Sequence, residues 1–445
     1  MSTKKRVLVL GAGRVTGPLF DDLRKEKSVQ VTVVNRGMPG LERAGKHCPG
    51  ARLECVDVEK VPGRRDSLIA EHDLVISCLP PSLVHGVVLT CLAKKKNLVA
   101  TNFCSPEQRQ LHQQVVDADL IFLMDIGLRP GLDHMAAKQA IDGLKSRGGE
   151  ITSYEVYTAA IPTPESANNP LKFKFSWCSE KALAKNVEPT GYMEDGKTTI
   201  VSSPVEVVHE VGQLRNFKEE FEAFYNHFDT SYLSLYGIEN AHTLKIGSMR
   251  YKGFCAANVS LIKLGLYSTT PHKLLHEDAD PFTWRNYMCY EFGLNENVSD
   301  ELLESKVNER LAPGQIEVIR SLGLLGAGEV KKNGTPFKTL VQHLASRPDF
   351  QYNSTNRDMA LMDIKVTGRF PDGHSESRKM ELTVFGDAGD NSAISKAVGH
   401  CAATAAMMIL NGEITLRGIL APVVPELYEP MLNNLQEKGI KFVSK

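Results

Sequence analysis

A glycine-rich turn directly after a short apolar run restricts the folds open to this chain. Residues 6–10 read RVLVL, a run typical of a strand buried on both faces of a parallel sheet. Residues 11–17 read GAGRVTG and open a helix, which is the context of a dinucleotide-binding fingerprint. Gly11 allows the tight turn and Gly13 lets the backbone approach a pyrophosphate. Thr16 occupies the place of the usual third glycine, so a glycine turn without a ligand is the alternative.

The strand pattern repeats along the first 131 residues. Helix-like stretches such as 105–117 separate the further apolar runs, which are 29–34, 52–56, 73–78, 97–101 and 120–124. This alternation predicts βαβ units and therefore a doubly wound parallel sheet. We assign residues 1–131 to a Rossmann domain.

The remainder of the chain predicts an α+β domain with a helical insertion. Polar strand-like segments no longer alternate strictly with helices, and they cover 151–159, 198–207, 362–369 and 379–385. Helical periodicity marks 281–292, 300–310 and 315–322, and an apolar helix over 392–410 ends near Gly412. We therefore expect an α+β substrate and dimerisation domain (132–270 and 348–390), a helical insertion (271–347), and C-terminal helices that pack on the Rossmann domain (391–445).

Composition limits the partners. The 445 residues contain 52 lysines and arginines against 53 aspartates and glutamates, so the chain lacks the excess positive charge that binding to nucleic acid or an anionic membrane requires. Nine scattered cysteines without a C-x-x-C pair predict buried thiols in a reducing compartment and no metal site. Because residues 1–5 lead straight into a strand, we expect a cytoplasmic protein; the alternative is that a leader peptide has been removed. We expect its partners to be small molecules.

The end of the second strand predicts the cofactor. NAD-specific Rossmann domains carry an acidic residue there, whereas this chain has Asn35 followed by Arg36. A guanidinium forms bidentate bonds to phosphate, so we expect NADP; the alternative is that Arg36 is a solvated loop charge. The predicted cofactor-binding set is Gly11, Gly13, Arg14, Val15, Thr16, Asn35, Arg36, Asp57, Cys78, Leu79 and Pro80.

Collinear motifs in the second part of the chain resemble a known enzyme family. They are GLRPGLDH at 127–134, PESANNP at 164–170, KFSW at 174–177, RYKG at 250–253, DPFTW at 280–284 and Ser392-Ala393. Together they resemble the glutamate-forming saccharopine dehydrogenases, including the fused form in animal and plant aminoadipic semialdehyde synthases. The resemblance implies a homodimeric enzyme that interconverts saccharopine with glutamate and aminoadipate semialdehyde by hydride transfer and imine hydrolysis.

The chain departs from the family where the family holds its substrate. Asn102-Phe103 replaces a Ser-Tyr pair, Arg129 replaces an aspartate, Thr158-Ala159 replaces a Cys-Gly pair, and His227 stands where the family has a substrate-binding arginine. A guanidinium that meets a substrate ammonium disfavours binding. The substrate is therefore expected to differ from saccharopine near Arg129 and His227; the alternatives are a local misalignment, or an Arg129 directed to solvent while water or Asp125 takes its role.

Roles within the site follow from side-chain chemistry. Arg250 is the expected carboxylate anchor, with an ion pair between domains as the alternative. Asn168 and Asn169 suit a polar substrate or cap the next helix. The predicted substrate contacts are Asn102, Phe103, Asp125, Arg129, Thr158, Ala159, Asn169, Phe175 and Arg250. The predicted catalytic candidates are Asp133, which also suits an N-cap before Met135, His227 and Lys174, whereas His134 is more typical of a packing residue.

Three functions compete on this sequence. The first is an oxidoreductase of a secondary amine of the saccharopine type, and the second is a non-catalytic NADP-binding sensor. The third is an oxidoreductase of a different carbonyl or imine. The retained Arg250 and the KFSW motif favour an enzyme, because a sensor has no use for a carboxylate anchor.

Overall fold

The computed structural model describes residues 4–176, 178–389 and 391–444, so Trp177 of the KFSW motif lies outside the described residues. The chain divides into two compact units. Unit 1 comprises Met1–Thr158, Thr230–Ala241 and Met359–Lys445, and unit 2 comprises Ala159–Asp229 and His242–Asp358. The chain therefore passes from unit 1 to unit 2 and back twice.

A parallel sheet with flanking helices forms the first part of unit 1. Its elements are β1 (Lys5–Leu10), α1 (Gly17–Leu23), β2 (Val29–Asn35), α2 (Met38–His47), β3 (Arg52–Cys55), α3 (Pro62–Glu71), β4 (Leu74–Ser77), α4 (Pro81–Lys94), β5 (Asn97–Ala100), α5 (Pro106–Arg109), α6 (His112–Asp117) and β6 (Ile121–Leu123). Strand β4 is buried throughout and β1 is buried from Val7 to Leu10, as the continuous apolar runs predict. The Rossmann-type fold class predicted from the sequence is confirmed.

The rest of the chain mixes helices and antiparallel strands. In order these are α7 (Asp133–Lys145), β7 (Glu150–Pro162), α8 (Ser179–Ala184), β8 (Thr190–Glu194), β9 (Lys197–Val201), β10 (Val208–Gln213), β11 (Glu220–Tyr225), α9 (Ser231–Tyr236), β12 (Thr243–Tyr251), α10 (Phe254–Lys263), α11 (Trp284–Glu291), α12 (Asp300–Asn308), α13 (Gln315–Ser321), α14 (Pro336–Ser346), β13 (Asp358–Arg369), β14 (Ser375–Phe385), α15 (Ala393–Leu410), β15 (Gly418–Leu420), α16 (Pro425–Glu437) and β16 (Phe442–Ser444).

Each unit has its own strand arrangement. In unit 1 the parallel strands follow the order β15-β6-β5-β4-β1-β2-β3, and the last strands pair antiparallel as β13-β14-β16. In unit 2, β10, β11 and β12 form an antiparallel set next to the β8–β9 hairpin, and α11 to α14 follow as a run of short helices.

Two segments differ from the sequence prediction. The helix expected over 105–117 is broken into α5 and α6. The strand expected over 198–207 ends at Val201, and a 3-10 turn over Pro204–Glu206 follows it. Pro204 has no backbone N–H to donate to a strand partner, so the expected strand does not continue through position 204.

Helix α15 is the longest helix of unit 1. By length and composition it is apolar enough to cross a membrane, and 67% of it is buried inside the protein. It packs against α1, while β15 extends the parallel sheet beside β6. Burial among these elements explains its apolar composition.

Candidate functional site

The carboxyl ends of β1, β2 and β4 lie side by side at one edge of the parallel sheet. Leu10 at the end of β1 is paired with Val34 in β2 and with Ser77 in β4. The chain fills the sheet on the β2 side first and then crosses to the β4 side, so the strand order reverses at β1. Open α/β sheets bind ligands at such a switch point.

The glycine turn at this edge has the geometry that a dinucleotide requires. Gly11 has a φ of +94°, and a Cβ atom there would lie 2.8 Å from the carbonyl oxygen of Cys78. At Gly13 a Cβ would meet no described atom within 4 Å, which leaves open space for a pyrophosphate to approach the backbone. The Thr16 hydroxyl donates to the Gly13 carbonyl at 2.9 Å and holds the turn closed. These residues fit a bound dinucleotide.

Asn35 braces this turn with its side chain. The Ala12 N–H donates to its Oδ1 at 3.1 Å, and its Nδ2 donates to the carbonyl of Gly37 at 2.8 Å. The amide is therefore engaged with the protein backbone on both sides. Arg36, next along the chain, is exposed at the same edge, where its guanidinium can meet a phosphate.

The other predicted cofactor residues surround the turn or follow the neighbouring strands. Arg14 is exposed and Val15 is half-buried. Asp57, after β3, accepts from the N–H groups of Glu59 and Lys60 and so stabilises a local turn. Cys78, Leu79 and Pro80 follow β4, and burial raises the pKa of the Cys78 thiol to about 12. The thiol is thus neutral at physiological pH.

Two buried carboxyl groups, Asp125 and Asp133, follow β6 in unit 1, and both are fully buried. The N–H of Cys104 donates to Asp125 Oδ1 at 2.7 Å. Burial raises the pKa of Asp125 above its ordinary value, and the nearby charge of Asp133 acts in the same direction.

Asp133 lies within α7, in its first turn. The N-cap of that helix is Leu132, so the N-cap role expected for Asp133 is wrong. Its Oδ1 accepts from the Gly131 N–H at 2.7 Å, a bond that ties the carboxylate to the preceding loop. Its Oδ2 has no hydrogen-bond partner within the described residues. Asp133 therefore keeps one acceptor oxygen for a further donor.

Tyrosine side chains surround His134, the residue after Asp133. The Tyr236 hydroxyl and His134 Nδ1 are 2.7 Å apart, and the Tyr232 ring lies 5.4 Å from the imidazole. Tyr154 packs edge-on against Tyr236 at 5.2 Å. Sequence reasoning missed these tyrosines, although Tyr232 and Tyr236 have the i, i+4 spacing that places two side chains on one helix face.

Arg129 acts on this tyrosine cluster. It is half-buried on the irregular segment Leu128–Leu132. Burial and the charge of Asp133 raise the pKa values of Tyr154 and Tyr232, and the charge of Arg129 opposes both shifts. The guanidinium therefore lies within electrostatic reach of the two hydroxyls.

Arg250, in unit 2, is enclosed by aromatic rings. Its guanidinium carbon lies 5.3 Å from the ring centre of Phe173, 5.4 Å from that of Phe254 and 5.8 Å from that of Phe224. One of its nitrogens donates to the Met249 carbonyl at 2.7 Å. Cation–π contacts of this kind orient a guanidinium.

The polar groups of Lys174 and Asn169 are bonded to backbone. Lys174 is 1% exposed, and its ammonium donates to the carbonyl of Asp349 at 2.7 Å. The Asn169 amide donates to the carbonyls of Phe173 and Asp349 and accepts from the N–H groups of Leu171 and Phe173. These bonds favour structural roles over the predicted catalytic and substrate-binding ones.

Phe175 packs in the core of unit 2. It is buried, and its ring lies 5.4 Å from Phe173 and 6.1 Å from Phe350. Its N–H also donates to the Phe350 carbonyl. This packing favours a core role for the residue.

His227 lies in unit 2 and has a φ of +58°, an uncommon conformation for a non-glycine residue. It lines a cavity of about 340 Å³ together with Thr190, Phe228 and Ile200. The Thr190 hydroxyl accepts from the Phe228 N–H at 3.2 Å and fixes the turn beside the imidazole. The cavity wall is thus partly polar and partly apolar.

The remaining predicted contacts lie near strand ends or on β7. Asn102 follows β5; its carbonyl accepts from the Asp125 N–H, and its Oδ1 is buried without a partner among the described residues. Phe103 is exposed, Thr158 is half-buried and Ala159 is buried on β7.

Two family models of known proteins together cover most of the chain. Residues 7–123 match the family model of the saccharopine dehydrogenase NADP binding domain. Residues 127–440 match that of the saccharopine dehydrogenase C-terminal domain.

Enzymes of animals and fungi are similar to this chain over nearly its whole length. The mitochondrial alpha-aminoadipic semialdehyde synthase of Bos taurus is 35% identical over 100% of this chain and 48% of its own length. This chain thus spans about half the length of that relative. The NADP(+), L-glutamate-forming saccharopine dehydrogenase of Saccharomyces cerevisiae is 29% identical over 99% of both chains. The apo structure of the yeast L-Glu-forming enzyme superposes with a TM-score of 0.91 at 28% identity over 99% of both chains.

Proposed function

The chain belongs to the saccharopine dehydrogenase family, and we propose that it is an NADP-dependent oxidoreductase of a C–N bond of the saccharopine type. The observation that carries the proposal lies in unit 1. A glycine turn suited to a dinucleotide and a buried carboxylate with a spare acceptor oxygen, Asp133 Oδ2, both follow strands of one parallel sheet. Hydride transfer coupled to one proton transfer needs these two elements.

The proposed reaction oxidises a secondary amine. NADP+ held at the glycine turn would supply the acceptor for the hydride that leaves the carbon of the C–N bond. The amine nitrogen gives up its proton, and water then adds to the resulting imine. The C–N bond breaks to give an aldehyde and a primary amine, which for saccharopine are aminoadipate semialdehyde and glutamate. The reverse direction is a reductive condensation.

Asp133 is the residue that we propose to accept the proton from nitrogen. Its Oδ1 is held by the Gly131 N–H, which fixes the orientation of the carboxylate, and its Oδ2 is available to a donor. Burial and the charge of Asp133 raise the pKa of Asp125, so the two carboxyl groups lie within electrostatic reach of each other. A buried pair of carboxyl groups suits the transient uptake of one proton.

We propose that Arg36 and Arg250 bind the anionic groups of the cofactor and of the substrate. Arg36 is exposed after β2, where an NADP 2′-phosphate binds in Rossmann domains. In unit 2, the aromatic rings around Arg250 hold its guanidinium in place, which lowers the entropy lost when it binds a substrate carboxylate.

A substrate that differs from saccharopine is the second candidate, and Arg129 favours it. A positive charge within reach of Tyr154 and Tyr232 suits an anionic or neutral group rather than an ammonium. Under this proposal the reaction type is unchanged and the substrate lacks an amine at that end.

Location, assembly and domain limits are further proposals. All nine cysteines are free thiols, in keeping with a reducing compartment such as the cytoplasm. We propose a homodimer, because two-fold dimers are the commonest oligomers. A monomer mass in light scattering at micromolar concentration would contradict this proposal. The four-part division drawn from the sequence is retained as a proposal.

An absorbance assay at the NADPH band tests the proposed function. The protein is incubated with NADPH, aminoadipate semialdehyde and glutamate, and then with a panel of other carbonyl and amine pairs. We expect consumption of NADPH with at least one pair, and Asp133→Asn should lower the turnover rate by about 100-fold or more. NADPH binding without turnover for any pair would instead favour the sensor.

A further inference from the structure

Gly399 marks a very close approach between two helices of unit 1. A Cβ atom at this position of α15 would lie 2.7 Å from the backbone nitrogen of Leu19 and 3.1 Å from Cβ of Pro18, both in α1. Carbon and nitrogen atoms in contact normally lie about 3.5–4 Å apart. Only glycine therefore lets α15 reach α1 at its present distance.

The start of α1 is enclosed in the same way. A Cβ atom on Gly17 would clash with the side-chain oxygen of Asn391, just before α15, and would lie 3.2 Å from the His47 ring of α2. Gly17 is the first residue of α1. The beginning of this helix is thus wedged between α2 and the segment that leads into α15.

The other end of α1 is attached by charge. Asp22 is 8% exposed, and its carboxylate accepts from His400 of α15 at 2.7 Å and from Lys438, after α16, at 2.5 Å. Asp22 therefore joins α1 to both C-terminal helices. With the Gly399 contact, α1 is held at both ends by residues 391–438.

Two hydrogen bonds connect α1 to the glycine turn. The Phe20 N–H donates to the Thr16 carbonyl at 3.1 Å, and the Thr16 hydroxyl donates to the Gly13 carbonyl at 2.9 Å. Gly13 is the residue with open space above its backbone. A displaced α1 would thus displace the backbone that a pyrophosphate must approach.

We propose that Gly399 is a positioning residue for NADP(H): through its contact with α1, the C-terminal helix α15 sets the position of the glycine turn. This inference rests on the proposed function, because it concerns the same cofactor. A methyl group at position 399 forces α1 and α15 apart by about 1 Å, since protein interiors have little free volume. Displacements of that size are large for groups that must hold a ligand in place.

The test is a fluorescence titration of the full chain with NADPH. For Gly399→Ala we expect the Kd of NADPH to rise by about 5- to 20-fold. The kcat at saturating NADPH should change less than threefold, because the variant leaves the substrate contacts alone. Gly143→Ala, in helix α7 where a Cβ would meet no described atom within 4 Å, is the matched control and should leave the Kd unchanged.

A second control separates positioning from stability. Leu144→Ala removes a fully buried side chain of α7 and lowers the Tm without touching α1. We expect its Kd for NADPH to remain at the wild-type value even where its Tm falls as far as that of Gly399→Ala. If both variants lose affinity in proportion to their Tm, Gly399 has only a structural role and the inference is wrong.

Asp22→Asn extends the test should Gly399→Ala not fold. It keeps the side-chain volume but loses the charge, and we expect a two- to fivefold rise in the Kd of NADPH; an unchanged Kd would overturn the inference. A wild-type protein that does not bind NADPH would overturn the proposed function itself, whereas wild-type binding with no effect of these variants overturns only the positioning role.

Discussion

The ammonium nitrogen of Lys174 lies 2.7 Å from the backbone carbonyl oxygen of Asp349, and the Gln351 carbonyl lies 3.4 Å away. Burial lowers the pKa of Lys174, while the charge of Asp349 opposes that shift. An ammonium that donates to carbonyls in a buried position closes a loop of unit 2 and has little freedom to meet a substrate.

Replacing Lys174 by methionine therefore tests a structural role against a catalytic one. Lys174→Met keeps most of the apolar part of the side chain and removes its donors, so the Asp349 carbonyl keeps only its bond from the Asn169 amide and the Gln351 carbonyl loses its contact with the ammonium. We expect the free energy of unfolding in urea to fall by about 1–3 kcal/mol and kcat to change less than threefold. Lys181→Met, on the exposed face of α8, is the surface control. If a variant that is still folded turns over about 100-fold more slowly, the catalytic role is restored.

The Asp22 cluster predicts a stability that depends on acid. Burial alone would raise the pKa of Asp22, but hydrogen bonds from His400 and Lys438 and their charges hold it well below its ordinary value. A carboxyl whose folded pKa is lowered contributes its full stability above about pH 4–5 and loses it as the pH falls toward the folded pKa. At pH 7, Asp22→Asn should lower the free energy of unfolding by about 1.5–3 kcal/mol.

The pH series distinguishes this mechanism from simple loss of packing. The difference in unfolding free energy between wild type and Asp22→Asn should stay constant from pH 7 to about pH 5 and shrink below about pH 4. Asp195→Asn changes a side chain that is 88% exposed and should have the same free energy of unfolding as the wild type at every pH. A gap that persists undiminished at pH 3 contradicts the ionic origin.

Asn35 and Arg36 should affect cofactor binding in different ways. Arg36→Ala should raise the Kd of NADPH by about 10- to 100-fold and leave the Kd of NADH unchanged, because one charge-assisted contact to the 2′-phosphate is lost. Asn35→Ala should raise the Kd of both cofactors by a similar factor. The Asn35 amide bonds to the backbone of Ala12 and Gly37 and so holds the glycine turn, which both cofactors need. Fluorescence titration of each cofactor measures both effects, with Lys60→Ala as a control for a nearby exposed charge. Equal wild-type affinities for NADPH and NADH refute the assignment.

The fold was more predictable from the sequence than the site. Apolar runs and glycine positions act locally, so the turn at Gly11 and Gly13 follows from adjacent residues. The tyrosine cluster does not, because His134 and Tyr236 are 102 residues apart and meet only through the fold. The motif around Asn169 and Lys174 was recognisable, but nothing local reveals that the backbone near Asp349 occupies their polar groups.

The final prediction concerns the substrate and combines Arg129→Asp with His227→Arg. These changes introduce the residues that the family resemblance predicts at two positions, one beside the tyrosine cluster of unit 1 and one on the cavity wall of unit 2. If the chain is tuned to a substrate without an amine near Arg129, the double variant should raise kcat/KM for saccharopine by about two to four orders of magnitude, since each restored charge contact contributes about 1.5–3 kcal/mol.

The single variants sharpen this argument. Arg129→Asp alone places a negative charge where Tyr154 and Tyr232 now meet a positive one, so we expect a lower Tm and only a partial gain with saccharopine. Arg129→Gln removes the positive charge without adding a negative one and should give a smaller gain at an unchanged Tm. Steady-state kinetics with saccharopine and NADP+ measures all of these variants. If the unmodified protein already oxidises saccharopine at about 1–1000 per second, the range of metabolic enzymes, the altered-substrate proposal fails, because Arg129 then coexists with full activity on the family substrate.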